Sequence, residues 1–352
     1  MALTKTQLAL VTKVRTAGAS ELGISLDDGV CSYLVAVIAT DLDLLNALPE
    51  IRDNVHPFFG REPLTTLRLE GIPFLPLFEK LMVLREDADT YFFCLATLHK
   101  ARLKYERILQ AQALPTIDQV GPRGLLQFGS LSPRSLTSLL FWRKWIFDID
   151  NRAGQETGYV FEPIIAHAIG GISFSSAKSP IKRGGTGPKG RQVDCIREKT
   201  AYEIKLRVTI AASGQGRWRE ELEFPKDCRA SGYTPVLIVL DPTWNPKLEE
   251  LAEAFLRQQG EVFIGQEAWD HLKASAGPTM ARFLELYVHV PIQSLLREAP
   301  EQLPEITFRM NREQFTVTIE DETLTVVRDA ISSEPSEEDE LPADVDEHIP
   351  SP

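Results

Sequence analysis

Cysteine is scarce in this 352-residue chain and widely scattered: Cys31, Cys94, Cys195 and Cys228, with no C-x-x-C pair and no histidine cluster at zinc spacing. That excludes a disulfide scaffold and a structural zinc ribbon, and points to a reduced cytosolic compartment. Long apolar runs are missing too. No segment approaches the ~20 apolar residues that cross a bilayer, and the N-terminus MALTKTQLALVTKVRTAG spreads its apolar residues among basic ones, unlike a signal peptide. Neither secretion nor membrane insertion is expected. Excess positive charge is also lacking, since 38 Lys and Arg face 50 Asp and Glu for a net charge of -12. Residues 331–352 hold Glu334, Glu337, Glu338, Asp339, Glu340, Asp344, Asp346 and Glu347 and no Lys or Arg, so the rest of the chain is nearly balanced. Global charge therefore does not exclude a nucleic-acid partner, because phosphate binding depends on local clusters.

Nucleotide-loop motifs are absent in substance. Gly185, Gly187 and Gly190 satisfy G-x-G-x-x-G, but the pattern leads into a strand instead of a helix, and Lys189 lies between Pro188 and Gly190, unlike a Walker A lysine. No Ser/His/Asp set is suggested. His167 reads as a packing or surface residue. With 43% hydrophobic residues the chain is long enough for a sizeable core.

What is present is concentrated in GRQVDCIREKTAYEIKLRV, residues 190–208. A hairpin centred on Glu198 and Lys199 pairs Arg197 with Thr200, Ile196 with Ala201, Cys195 with Tyr202 and Asp194 with Glu203. That register sets two carboxylates side by side. Lys205, two residues on, points to the same face as Glu203. Opposed like charges are unfavourable unless a hard divalent cation with oxygen ligands offsets them, and an ammonium beside that cation could steer or polarise a water. The arrangement suits phosphodiester hydrolysis.

The D, E-x-K pattern resembles the PD-(D/E)XK nuclease superfamily, and its surroundings resemble the type II restriction endonucleases within it. Val193 stands where the superfamily name has proline. Upstream, ETGYVFEPIIAHAIGG (156–171) puts Phe161, Ile164, Ile165, Ala168 and Ile169 on one helical stripe with Glu162 at its margin, and Gly170 and Gly171 stop it. Downstream, SGQGRWREELEFPKDCRASG reads as a helix and PVLIVLD (235–241) as a strand buried on both faces. A strand in GISFSS (171–176) completes an αβββαβ core. The resemblance implies an α/β fold in which Asp194, Glu203 and Glu162 hold Mg2+, Lys205 orients the attacking water or stabilises transition-state charge, and Gln215 supports them. It further implies double-stranded DNA as substrate, a homodimer with one active site per strand, a cognate DNA methyltransferase in the host, and a cytoplasmic enzyme. A structure-selective repair or recombination nuclease, and an inactive DNA-binding protein of the same fold, are the alternatives.

The segment AKSPIKRGGTGPKGRQ (177–192) carries Lys178, Lys182, Arg183, Lys189 and Arg191 without an acidic residue, and its glycines and prolines predict an irregular, phosphate-contacting loop feeding the Asp194 strand. Residues 1–129 read as a mostly helical N-terminal region, with its clearest helix from Thr90 to Gln112 and a Gly/Pro connector from Pro115 to Gly129. Residues 130–302 form the nuclease core. A helix begins at Ser132-Pro133, the polar stretch DIDNRAGQE (148–156) separates it from the Glu162 helix and lines the DNA cleft, and Trp142 and Trp145 are core. Another helix starts at Asn245-Pro246 and EVFIG follows as a short strand; EAWDHLKASAGPTMARFLELYVHVPI resembles the ApaLI-like restriction enzymes. Alternation in 303–330 predicts a β-meander, and 331–352 a disordered acidic tail.

Overall fold

The computed structural model describes residues 3–17, 23–51, 55–184, 190–206, 215–298 and 302–329. The first helices, α1 (Lys5–Arg15), α2 (Asp28–Asp41), α3 (Phe74–Leu84), α4 (Ala88–Ala111) and the short α5 (Ile117–Val120), are followed by a 3₁₀ segment, Gly121–Gln127. Then come α6 (Pro133–Ala168), strands β1 (Ile172–Phe174), β2 (Val193–Arg197) and β3 (Thr200–Lys205), α7 (Gln215–Ala230), β4 (Thr234–Val239), α8 (Pro246–Arg257) and β5 (Glu261–Ile264). Helix α9 (Gln266–Leu284) runs through a π-helical stretch into α10 (Val290–Arg297), and strands β6 (Ile306–Met310), β7 (Gln314–Ile319) and β8 (Glu322–Val327) close the described chain. None of the described helices is long and apolar enough to cross a membrane. The tail from 331 to 352 and Lys189 lie outside the described residues.

The five-stranded sheet has the order β1-β2-β3-β4-β5, antiparallel from β1 to β3 and parallel from β3 to β5. The hairpin register is Cys195↔Tyr202, Ile196↔Ala201 and Arg197↔Thr200, with Glu198 at φ 56° supplying the positive φ that a tight two-residue turn needs. Helices cover both faces. In β4, Val236 and Ile238 pack toward the N-terminal helices, α6 and α9, whereas Leu237 and Val239 pack against Phe224 and Cys228 of α7 and Leu251 and Phe255 of α8. A strand that is apolar on both sides is what such a sandwich requires. The larger core runs without a break from Val11 in α1 to Val288 after α9, so the N-terminal helices share one core with the sheet.

Helix α6 departs from the reading of two helices separated by a polar stretch. It is one 36-residue helix, capped by Ser132 with Pro133 in its first turn, and DIDNRAGQE lies within it. Ion pairs carry that polar middle: Lys144 Nζ lies 2.5 Å from Asp148, and Lys104 Nζ of α4 lies 2.5 Å from Glu156. At ~1.5 Å per residue the helix is ~54 Å long, and its ends do different work. The N-terminal half holds the three-stranded meander through Trp145 against Phe315 (4.7 Å between ring centroids) and Trp142 against Phe308 (5.4 Å). The C-terminal end buries Ile164, Ile165, Ala168 and Ile169 beneath the sheet. The connector expected from Pro115 to Gly129 is also more regular than its glycines imply, since α5 and the 3₁₀ segment occupy most of it.

Candidate active site

Two glycines bring α6 to the sheet. Gly170 takes φ +71°, ending the helix, and a Cβ on Gly171 would stand 2.1 Å from Cys195 Sγ, so only glycine lets the helix end press onto β2 beside Asp194. Strand β2 carries an extra residue there. Its pairing with β1 slips from Ile172↔Ile196 to Phe174↔Val193, a bulge that contains Asp194 and Cys195. A bulge bends the strand and re-aims side chains. The β2–β3 pairing ends at Cys195–Tyr202, one residue short of the expected Asp194–Glu203 pair; Asp194 is buried, and its Oδ2 accepts a hydrogen bond from the Ile204 N–H at 2.8 Å. Ser173 Oγ donates to the Asp194 carbonyl at 2.7 Å and fixes the bulge from the β1 side.

Around Asp194 the structure gathers carboxylates and one ammonium. Lys205 Nζ lies 3.1 Å from Glu203 Oε1 and 3.4 Å from Glu221 Oε2 of α7, and all three side chains are largely enclosed. Burial, then the charges of Glu203 and Glu162, hold the Asp194 carboxyl well above the usual carboxylate range, against the opposing pull of the Ile204 N–H and Lys205. Burial alone would lower the Lys205 pKa, but Glu203, Glu221 and Asp194 outweigh it and raise the ammonium above its ordinary value. Lys205 is therefore held as an ammonium at neutral pH in the metal-free protein. Lys205 thus sits against Glu203 and Glu221, while Glu162 acts on Asp194 through its charge.

Among the described residues no group of three or more His, Cys, Asp or Glu side chains is gathered closely enough to chelate a metal by itself. Magnesium needs less, because it keeps several waters and is commonly held by one or two carboxylates. A buried carboxyl whose ionisation is opposed by two neighbouring carboxylates fits a hard divalent cation, which would remove that penalty.

The family model for the ApaLI-like restriction endonucleases matches residues 77–289, from α3 to the π-helical stretch, and so includes Glu162, Asp194, Glu203, Lys205 and Glu221. This chain belongs to that family. It is 52% identical over 218 residues to the type II restriction enzyme ApaLI of Acetobacter pasteurianus, a match covering 60% of this chain and 58% of that protein. The chain thus aligns with less than two thirds of that relative's length. No solved structure matches significantly.

In this ApaLI-like chain the basic segment is tied down more than its composition implies. Arg191 departs most from the expectation of a phosphate contact. It is buried, its Nε donates to Asp227 Oδ2, its Nη1 donates to the Glu220 carbonyl at 2.9 Å, and Glu223 lies 3.5 Å away. A guanidinium spent on a buried carboxylate anchors the loop to α7 and is not presented to solvent. Arg183 forms a half-exposed pair with Glu220 at 2.5 Å, and Lys182 Nζ donates to the Ser179 carbonyl at 2.8 Å, each able to exchange that partner for phosphate. Lys178 is exposed. Gln215 opens α7, but its side chain lies outside the described residues, as does Lys189. His167, as read from sequence, is a packing residue, its Nδ1 2.7 Å from the Pro163 carbonyl and its ring against Phe93.

Two acidic residues of α7 escaped the sequence reading. Glu221 lies three and seven residues before the buried Phe224 and Cys228, and Asp227 lies three after Phe224, so both sit on the inward stripe. A carboxylate on a buried helix face is rarely left without a cation, which is the signal that marks them.

Proposed function

We propose that this chain is a type II restriction endonuclease that cuts both strands of duplex DNA at a specific sequence by Mg2+-dependent phosphodiester hydrolysis, through a PD-(D/E)XK core made of the end of α6, β1 to β3, α7 and β4. Asp194 and Glu203 would hold the magnesium, with Glu162 completing the acidic surround. When bound, the metal supplies Lewis-acid stabilisation of charge on the phosphoryl oxygens and a more acidic water. The chain's own residues do the rest. The Ile204 N–H fixes one Asp194 oxygen and leaves the other for ligation. Lys205, held between Glu203 and Glu221, orients the attacking water and offsets negative charge as it grows in the transition state. Lys178, Lys182 and Arg183, with Lys189, would position the backbone, while Arg191 stabilises the loop that carries them.

The observation that carries this reading is the enclosed Lys205–Glu203 pair beside a buried Asp194 within the family-matched segment. A homodimer places one such site on each strand and matches a palindromic site. A cognate methyltransferase would protect host DNA. Incubating the purified chain with a plasmid of known sequence and magnesium, then sequencing the fragment ends, tests the proposal: ends at one recurrent short sequence support it. Intact plasmid, or ends scattered without a common sequence, would overturn it.

A further inference from the structure

Large apolar side chains are exposed together on one part of the surface. Leu125, Leu126 and Phe128, in and after the 3₁₀ segment, are 78%, 92% and 72% exposed, and Leu139 and Phe147 of α6 are 44% and 62% exposed. They form one ridge. The 3₁₀ segment rests on α6 at Gly124, where Leu140 lies 3.1 Å from an added Cβ, and Gln127 Oε1 accepts from Arg143 at 3.4 Å, between Leu139 and Phe147 on the same helical stripe. Exposed apolar surface of this kind marks an interaction site. Its charge is one-sided. From residue 119 to 147 the chain has no acidic residue, and Arg123, Arg134 and Arg143 stand exposed around the ridge.

We propose that this surface is the docking site for the chain's own C-terminal segment, residues 331–352. Three observations select that occupant. Its exit point is adjacent: the Asp329 N–H donates to the Gln110 carbonyl at 3.2 Å and Arg328 Nη2 to the Gln112 carbonyl at 2.6 Å, so the chain leaves the described structure at the end of α4, just before α5 and the ridge. Its reach suffices, because 22 residues extend to ~70 Å at most. Its composition is complementary, with eight acidic residues to meet the three arginines and Leu341, Val345 and Ile349 to meet the leucines and phenylalanines. A second copy of the chain would set the arginines against themselves with no carboxylate between them. Duplex DNA is a poor match for an apolar ridge, since protein–DNA interfaces are more polar than this. The proposal does not depend on the nuclease reading.

The test is the rate at which a glutamate-specific protease releases the C-terminal segment from the full-length protein at low salt, followed by mass spectrometry. Docking predicts release about tenfold slower in the natural chain than in a Leu126→Glu, Phe128→Glu variant, with the difference shrinking as salt rises. A second variant, Arg123→Ser with Arg134→Ser, should also speed release and disturbs no apolar contact. Thermal melting of each variant checks that the body is intact. Equal release rates in all three proteins overturn the proposal. So does a natural chain that sediments as a dimer and a Leu126→Glu, Phe128→Glu variant that is monomeric with unchanged release, which would assign the ridge to a second copy. Lost DNA affinity with unchanged release would assign it to DNA and overturn the proposal equally.

Discussion

Asp194 is held in a state it disfavours. Its carboxyl is buried beside Glu203 and Glu162, which raise its pKa, so the folded protein without metal binds a proton there that the unfolded chain releases above the normal carboxylate range. Stability from this source falls as pH rises from the ordinary carboxylate pKa toward the raised one. Asp194→Asn keeps an oxygen for the Ile204 N–H and removes the charge. In metal-free buffer at neutral pH the variant should melt higher than the natural chain, on the order of a few degrees, while losing DNA cleavage. An unchanged or lower melting temperature would mean that the site is not electrostatically strained. Arg191 gives the opposite case, an interior ion pair with Asp227. Arg191→Ala leaves a buried carboxylate unpaired and should cost about 3–5 kcal/mol of stability, read by urea denaturation. If it instead weakened DNA binding at unchanged stability, its role would be the phosphate contact that composition alone implies. The sequence shows Arg191 only as a charge, because its partner Asp227 lies 36 residues away in α7.

At the scale of elements, the β2–β3 hairpin was the most legible part of the chain. Alternation fixes which residues share a face and the turn at Glu198 fixes the register, so Arg197, Ile196 and Cys195 meet the partners their spacing assigns. The bulge at Asp194 was not legible, since it arises from pairing with β1, a strand only Ile172–Phe174 long. Helix α6 was misdivided for a related reason. Its polar middle lacks an apolar stripe, and the ion pair to Lys104 that supports it comes from α4. The end of α6 makes the sharpest prediction at this scale. Gly171→Ala drives a methyl into Cys195 Sγ and the backbone of Ile196, and overpacking of this kind costs about 1–3 kcal/mol. Cleavage should fall further than stability alone explains, because the displaced helix carries Glu162. Full cleavage by a destabilised variant would separate the helix end from the site.

Across the whole molecule, one core joins the N-terminal helices to the five-stranded sheet, so perturbations far from Asp194 reach its support. His99 in α4 is fully buried, its ring centroid 5.9 Å from that of Phe58, with neither ring nitrogen hydrogen-bonded among the described residues, and burial lowers its pKa from 6.5 to about 4. The unfolded chain takes up a proton at this residue before the folded one does. Its contribution is therefore complete above the unfolded pKa and is lost progressively as pH falls from 6.5 toward about 4. His99→Leu should flatten the decline of melting temperature over that interval. An identical decline in both proteins would place the acid sensitivity elsewhere.

The central claim is that Asp194, Glu203 and Lys205 form the catalytic centre, and single-turnover cleavage at saturating DNA and magnesium tests it most directly. Lys205→Ala and Glu203→Ala should each lower the rate constant by ~10² or more, the scale lost with a group that stabilises transition-state charge, with folding intact and DNA still bound. A Lys182→Ala, Arg183→Ala variant measured alongside should chiefly weaken binding and reduce its salt dependence. Natural single-turnover rates in Lys205→Ala and Glu203→Ala would contradict the account and place the chemistry at another site.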